Sequence, residues 1–257
     1  MQELQVSIRN GKFTTSMQWG GNGAPLLFLH GGGGPMIGAP FLDELAKHFT
    51  VYAPAHPGFG AGEGIEHLDD IIDFALYYLD FLDELQIDNP HIVGHSMGGM
   101  LAAEVAALAP YRLNRLVLVS PAGLWLDEKP LPDFFTFTPQ QTLKAVLHDP
   151  EGPLGQLLQK QFESPEMMLE MHKCLASAGK FLWPIPDKGL KKRIHRIQLP
   201  TLILWGASDK LIPPAYGKAF LKAIAGARLV TLNSSGHIPM LEEQAAFVQA
   251  VTNFLLE

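Results

Sequence analysis

Three polar residues that stand far apart in the sequence have the residue types needed for nucleophilic catalysis. Ser96 lies in GHSMG (94–98), a G-x-S-x-G pattern between an apolar run and an alanine-rich stretch. A serine hydroxyl is a weak nucleophile and needs a base, which a histidine can supply. The imidazole in turn needs a carboxylate that fixes its tautomer and stabilises its charged form. We therefore expect the partners of Ser96 to be a histidine and an aspartate.

Of the ten histidines, His237 is the best placed to act as the base. It stands in NSSGHIPMLEE, a loop between the last predicted strand and the last predicted helix. His95 neighbours the serine, but strand alternation turns its side chain away, and His30 ends a strand where we expect structural hydrogen bonds. His91 and His95 are four residues apart on a strand-like run without further ligands, so we expect no metal site.

The orienting acid is predicted to be Asp209. It lies in LILWGASDKLIP, just beyond the carboxyl end of a predicted strand. Open α/β sheets build their sites at that edge, where a carboxylate can accept the imidazole Nδ1–H. Asp127 follows the preceding predicted strand and is the alternative acid, but its loop position is less favourable.

The glycine run FLHGGGGPM (28–36) offers a place for negative charge. Backbone N–H groups at a glycine bend can point at an oxyanion, and so can the first N–H of a helix. We assign these donors to Gly32 and Met97, with Gly31 and Gly33 as neighbours that the sequence does not distinguish. The run matches neither the G-K-[ST] ending of a phosphate loop nor the dinucleotide pattern G-x-G-x-x-G.

The elements that would carry these residues follow from the hydrophobic pattern. Helical spacing predicts helices over 67–86, from Ser96 to about 108, and over 241–256. Asn10-Gly11 between two alternating stretches predicts a two-residue hairpin. Strands alternating with helices predict a mostly parallel α/β sheet with helices on both faces. Apolar runs predict buried strands over 24–31, 49–58, 91–95, 115–121, 201–206 and 228–233.

One long segment, residues 124–198, holds no convincing strand and is rich in Phe, Met, Leu and Pro. We predict a helical cap there, inserted into a core domain formed by residues 1–123 and 199–257. A cap over the carboxyl edge of the sheet would decide which substrates reach Ser96.

Phe134, Phe135 and Trp183 are the candidate substrate contacts in this cap. The alternative is that its apolar residues pack a small core of their own. The charged residues 191–193 flank an apolar helical stripe, so we expect them to form a solvated face rather than an anion site.

Composition limits the kind of partner. A chain of 257 residues that is 47% apolar can bury a large core, and a net charge of -7 argues against nucleic-acid and anionic-membrane partners. The single cysteine, Cys174, excludes an internal disulfide and a Cys-rich zinc site. Without an apparent signal peptide or a long apolar run, we expect a cytoplasmic monomer or homodimer that acts on a small molecule.

Five segments, HGGGGP, PGFGAGEG, GHSMGG, WGASDKLIP and GHIPMLEE, occur in the order expected of the α/β-hydrolase superfamily. The chain resembles that superfamily over nearly its whole length outside 124–198. The resemblance implies a sheet of about eight strands with the second antiparallel and a cap inserted after the sixth. It also implies Ser96 as nucleophile, His237 as base and Asp209 as acid, with no metal or organic cofactor.

Among the reactions of this superfamily, the resemblance favours hydrolysis of carboxylic esters. The apolar side chains of residues 124–198 further predict that these esters are small to medium in size and uncharged. The glycine run is also similar to that of C–C bond hydrolases that act on ring meta-cleavage products. Those enzymes carry Trp after the catalytic histidine, where this chain has Ile238, a further candidate substrate contact. A ligand-binding protein of this fold with little turnover is the third alternative.

Overall fold

A computed structural model of the chain describes residues 1–36, 38–185 and 187–257. Its strands are β1 (Gln2–Ile8), β2 (Phe13–Gly20), β3 (Pro25–Leu29), β4 (Thr50–Pro54), β5 (His91–His95), β6 (Leu116–Val119), β7 (Thr201–Gly206) and β8 (Arg228–Leu232). They form one eight-stranded sheet in the order β1-β2-β4-β3-β5-β6-β7-β8. Only β2 runs against the others, pairing antiparallel with β1 and β4. The predicted strand count and topology are confirmed.

Helices cover both faces of this sheet, and further helices lie in the segment between β6 and β7. In chain order the helices are α1 (Pro40–Leu45), α2 (Ile71–Glu84), α3 (Met97–Leu108), α4 (Pro139–Val146), α5 (Pro153–Glu163), α6 (Pro165–Leu182), α7 (Ala215–Ala223), α8 (Pro239–Glu242) and α9 (Gln244–Leu255). Helices α1 and α9 share one buried cluster with Leu26 and Phe28, and α2, α3 and α7 share the other with Leu27 and Leu29. Adjacent residues of β3 thus face opposite layers, which explains why the strand reads as a continuous apolar run.

The N-terminal hairpin differs from the prediction in the length of its loop. Strand pairing ends at Ile8 and Phe13, so four residues connect the strands rather than two. Arg9 leaves the ladder because its backbone N–H donates to a carboxylate oxygen of Glu84 and its guanidinium pairs with Asp80. The tight turn that Asn10-Gly11 favours is present within this longer loop, because both residues have positive φ, 56° and 85°, and Lys12 N–H donates to the Arg9 carbonyl at 3.2 Å.

The segment between β6 and β7 is built from helices. It contains α4, α5, α6 and short 3₁₀ turns, and no strand occurs in its described residues. Two hydrogen bonds tie α6 to the core, from Ser177 Oγ to the Gly58 carbonyl at 2.6 Å and from Lys180 Nζ to the Ile65 carbonyl at 2.8 Å. No helix in the described ranges is both long and apolar enough to cross a bilayer.

The predicted solvated face at 191–193 is wrong for Arg193. Lys191 and Lys192 are exposed, but the Arg193 guanidinium makes two hydrogen bonds of 2.7 Å to the carboxylate of Glu104 in the middle of α3. The Glu104 side chain is 0% exposed. Because a buried carboxylate needs a partner, this ion pair fixes the end of the helical segment against the core.

Replacement of Arg193 by methionine should strongly destabilise the protein, because it leaves the Glu104 carboxylate buried and unpaired. We expect Arg193→Met to lower the free energy of unfolding by about 3–5 kcal/mol in urea denaturation. The control Lys192→Met removes an exposed charge and should change that free energy by about 0.5 kcal/mol or less. Equal stability of the two variants would show that the Glu104–Arg193 ion pair contributes nothing to the free energy of unfolding.

Candidate active site

Ser96 occupies a strained turn between β5 and α3. Its backbone has φ 54° and ψ -116°, a conformation that side-chain-bearing residues rarely adopt. A Cβ on Gly98 would lie 2.2 Å from the Leu29 carbonyl oxygen, and a Cβ on Gly94 would lie 2.3 Å from the Gly98 carbonyl oxygen. The glycines of the pentapeptide therefore allow strand and helix to pass close to each other.

The structure brings the three predicted residues into one hydrogen-bonded chain. His237 Nδ1 lies 2.8 Å from Asp209 Oδ2, and His237 Nε2 lies 2.9 Å from Ser96 Oγ. Since a carboxylate only accepts, Nδ1 carries the proton and Nε2 is free to accept from the serine hydroxyl. Asp209 and His237 are 3% and 4% exposed, so little water competes for these bonds.

Hydrogen bonds to the second carboxylate oxygen of Asp209 hold this side chain in place. Asp209 Oδ1 accepts from the backbone N–H groups of Leu211 at 3.0 Å and Ile212 at 2.8 Å. Asp127, the alternative acid, is exposed and accepts from Trp125 Nε1 instead. The geometry therefore selects Asp209 as the carboxylate that faces the imidazole.

The backbone of His237 is held on both sides by groups that no sequence pattern predicts. Its N–H donates to the Val146 carbonyl at 2.6 Å, at the end of α4. Its carbonyl accepts from His95 Nε2 at 2.8 Å. Burial, with a further contribution from the neighbouring His237, lowers the pKa of His95 to about 3, so the ring is neutral and donates from Nε2 alone.

Two glutamates of the segment GHIPMLEE hold the loop before His237. The Glu242 carboxylate accepts from Gly236 N–H through one oxygen and from His148 N–H through the other, both at 2.6 Å. Glu243 uses a single oxygen, Oε2, for Ser234 N–H at 2.8 Å and Ser235 Oγ at 2.7 Å. The predicted single closing helix is interrupted at Glu243, which separates α8 from α9.

The predicted oxyanion donors lie beside the serine. A Cβ on Gly31 would lie 3.2 Å from Ser96 Cβ, which places the glycine run next to the nucleophile. The N–H groups of Gly32 and Met97 donate to no acceptor in the part of the chain that the structure describes. The Met97 side chain is fully buried in the core, so only its backbone can take part. Their role in binding an oxyanion stays a prediction.

A cavity of about 740 Å³ has Ser96 and His237 in its wall. Gly31, Gly32, Gly33, Phe134 and Ile238 line it, as predicted from the sequence, together with Met167, Met171, Leu175 and other apolar residues of the helical segment.

Phe135 and Trp183 are not in the cavity wall. Phe135 packs edge-on against Trp183 with ring centroids 6.0 Å apart, and Trp183 is 54% exposed. The structure therefore does not bring these two predicted contacts to the site. Three charged residues that sequence reasoning missed do reach the cavity: Glu170, Asp187 and Lys188. Within the described ranges, no cluster of three or more His, Cys, Asp or Glu side chains could hold a metal ion.

A sequence profile of the Alpha/beta hydrolase family matches residues 26–250. The chain belongs to this family. This hydrolase is 29% identical over 236 residues to the dihydrolipoyllysine-residue acetyltransferase component of an acetoin cleaving system from Cupriavidus necator, covering 89% of this chain and 62% of that protein. The chain thus spans less than two thirds of that relative.

Two further proteins are similar to this hydrolase, one in sequence and the other in fold. A 2-hydroxy-6-oxo-6-phenylhexa-2,4-dienoate hydrolase from Comamonas testosteroni is 27% identical over 260 residues, covering 91% of this chain and 88% of that protein. The solved structure of an esterase from Exiguobacterium antarcticum superposes with a TM-score of 0.80 at 19% identity, covering 100% of both chains. That second likeness shows the fold alone.

Glu242→Gln should lower the turnover of this hydrolase, because glutamine offers one acceptor where the carboxylate offers two to Gly236 and His148. We expect kcat to fall by about 3- to 30-fold, since small displacements of a catalytic group are costly, with a smaller change in KM. Steady-state kinetics on an ester measures both constants.

The matched control for that change is Glu243→Gln. Glu243 makes both of its hydrogen bonds through one oxygen, which glutamine retains, so kcat should stay close to that of the wild type. Equal losses in both variants would contradict a specific role for Glu242 in placing His237.

Proposed function

We propose that this hydrolase is a serine carboxylesterase that cleaves small to medium uncharged carboxylic esters through an acyl-enzyme. The observation that carries the proposal is the continuous hydrogen-bonded chain from Ser96 Oγ through His237 to Asp209 at the wall of a largely apolar cavity. This arrangement supplies a nucleophile, a base and an orienting acid in one place.

The proposed reaction runs in two halves. Ser96 Oγ attacks the ester carbonyl while His237 Nε2 takes its proton, and the imidazolium is stabilised by Asp209. The negative oxygen of the tetrahedral intermediate binds the N–H groups of Gly32 and Met97, donors that are typically worth about 3–4 kcal/mol each. His237 then protonates the departing alcohol, and water repeats the sequence on the acyl-enzyme to release the acid.

The proposed substrate class follows from the cavity. A volume of about 740 Å³ accommodates a small or medium molecule, and its wall contains Phe134, Met167 and Ile238 among other apolar side chains. We further propose that the residues of the described helical segment act as the cap that selects the acyl and alcohol groups. The net charge of -7 supports a small-molecule substrate rather than nucleic acid. We further propose that the enzyme acts as a cytoplasmic monomer or homodimer.

Ser96→Ala should abolish hydrolysis of p-nitrophenyl butyrate, with kcat falling by about 10⁴-fold or more because the nucleophile is lost. Fluorophosphonate labelling of the protein should disappear with it. Ser120→Ala is a matched control, because Ser120 also ends a strand at positive φ, 43° against 54° for Ser96. The buried Ser120 hydroxyl has no hydrogen-bond partner among the described residues, so this variant should keep its activity.

C–C bond hydrolysis of a ring-cleavage product is the second candidate function. The relative from Comamonas testosteroni is named for a dienoate substrate, and Lys188, a positively charged residue, is among those that line the cavity, so a substrate carboxylate would have a possible cationic partner. Burial lowers the pKa of Lys188, which indicates partial desolvation of this group. Ile238, at the place where such hydrolases carry Trp, argues for the ester instead.

Parallel assays on p-nitrophenyl butyrate and on a 2-hydroxy-6-oxo-dienoate separate the two functions. If the enzyme is an esterase, we expect higher kcat/KM on the ester and little effect of Lys188→Met, with the exposed Lys191→Met as control. Preference for the dienoate, with about a tenfold or larger loss in Lys188→Met, would instead support C–C hydrolysis. One stoichiometric release of product without turnover would favour a ligand-binding protein.

A further inference from the structure

A buried pair of histidines lies directly behind the glycine run. His56 backbone N–H donates to His30 Nε2 at 2.9 Å, so Nε2 carries no proton. The neutral His30 ring must then be protonated at Nδ1, and this N–H donates to the Gly31 carbonyl at 2.7 Å. His30 is 2% exposed, and burial lowers its pKa to about 4, so the ring stays neutral at physiological pH.

The second histidine is fixed in the same way. His56 Nε2–H donates to the His30 carbonyl at 2.8 Å, which leaves Nδ1 as an acceptor for the Tyr78 hydroxyl. The two imidazole rings are in contact, with centroids 3.7 Å apart and ring planes tilted by 33°. All four ring nitrogens therefore have partners, and the chain of bonds runs from Tyr78 on α2 to Gly31.

The last hydrogen bond of this network, from His30 Nδ1 to the Gly31 carbonyl, holds the peptide group that carries the Gly32 N–H. The Gly31 carbonyl and the Gly32 N–H belong to one planar trans peptide and point in opposite directions. That carbonyl also accepts from Gly34 N–H at 3.1 Å, so two donors hold it on the side away from the Gly32 N–H. Glycines have little intrinsic preference for one peptide orientation, so such anchoring decides where the N–H points.

We propose that His30 is a positioning residue for the oxyanion site, fixing the Gly31–Gly32 peptide so that the Gly32 N–H is directed at the developing negative charge. The backbone N–H of His56 holds His30 in the required tautomer, and the Tyr78 hydroxyl orients the His56 ring. This inference rests on the proposed function, because it assigns the Gly32 N–H to a tetrahedral intermediate formed on Ser96.

Two substitutions of His30 test the roles of its two ring nitrogens separately. Asparagine places an amide N–H near the position of Nδ1 and can keep the bond to the Gly31 carbonyl, whereas glutamine places an acceptor near Nε2 and loses that bond. We expect kcat on p-nitrophenyl butyrate to fall about 10- to 100-fold in His30→Gln with KM within about threefold, because one oxyanion donor is misplaced. His30→Asn should stay within about threefold of the wild-type kcat.

Both variants delete one bond of a buried network, so both should lower the melting temperature to a similar extent. A purely structural role for His30 would make kcat follow stability in the two variants alike. Similar losses of kcat in both, or an unchanged kcat in His30→Gln, would overturn the proposal.

The rate of fluorophosphonate labelling gives the same comparison without an ester. We expect labelling of Ser96 to slow in His30→Gln and not in His30→Asn, since the phosphoryl oxygen uses the same N–H donors. A wild-type protein that is labelled but cleaves no ester would contradict the carboxylesterase proposal alone. Equal labelling rates in the wild type and His30→Gln would contradict the role of His30 alone.

Tyr78 is the end of the network that lies away from the glycine run, and the adjacent Tyr77 on the same helix provides a matched control. Tyr78 donates to His56, whereas the buried Tyr77 hydroxyl has no hydrogen-bond partner in the described ranges. We expect Tyr78→Phe to lower kcat about two- to fivefold with KM unchanged, while Tyr77→Phe leaves kcat at the wild-type value. Equal kcat values for the two variants would show that the network does not reach the glycine run.

Discussion

The hydrogen bond from Ser96 to His237 depends on strands that end at one edge of the sheet. Ser96 follows β5, and the loops that carry Asp209 and His237 follow β7 and β8. These strands run parallel in the order β5-β6-β7-β8, so their carboxyl ends converge although more than a hundred residues separate the serine from its partners. The sheet therefore sets the distances, and the loops only need to fix the final orientations.

Orientation is provided largely by backbone groups bonded to buried neutral imidazoles and carboxylates. His95 holds the carbonyl of His237, His30 holds the carbonyl of Gly31, and Glu242 holds the N–H of Gly236. An imidazole is suited to this work because its neutral form offers one donor and one acceptor in a rigid ring. Burial keeps the rings of His30 and His95 neutral by lowering their pKa values, so each ring retains one donor and one acceptor.

Features that depend on short motifs or on a repeated hydrophobic pattern could be predicted from the sequence. The strand and helix order follows from hydrophobic periodicity, and Ser96, Asp209 and His237 are recognisable from short patterns next to predicted strands. The Glu104–Arg193 pair, the Val146 carbonyl and the role of Glu242 were missed because each depends on a contact between distant segments that leaves no pattern in either one. The misassigned cap residues have the same cause, since an aromatic side chain such as Trp183 reads alike whether it faces a cavity or solvent.

The end of α4 has a consequence for how this fold can change. The Ala145 carbonyl accepts from Lys210 N–H at 3.1 Å, in the loop of Asp209, and the Val146 carbonyl accepts from His237 N–H at 2.6 Å. Two consecutive carbonyls thus bond to the loops that carry Asp209 and His237. The end of α4 therefore supports the active site directly, although it belongs to the inserted helical segment. Exchange of the helical segment between relatives would preserve the core only if the crossover points left residues 145 and 146 in place and if α6 kept its core contacts, such as those of Ser177 and Phe181. Helix α5 buries little beyond Gly155 and has more freedom to vary in composition.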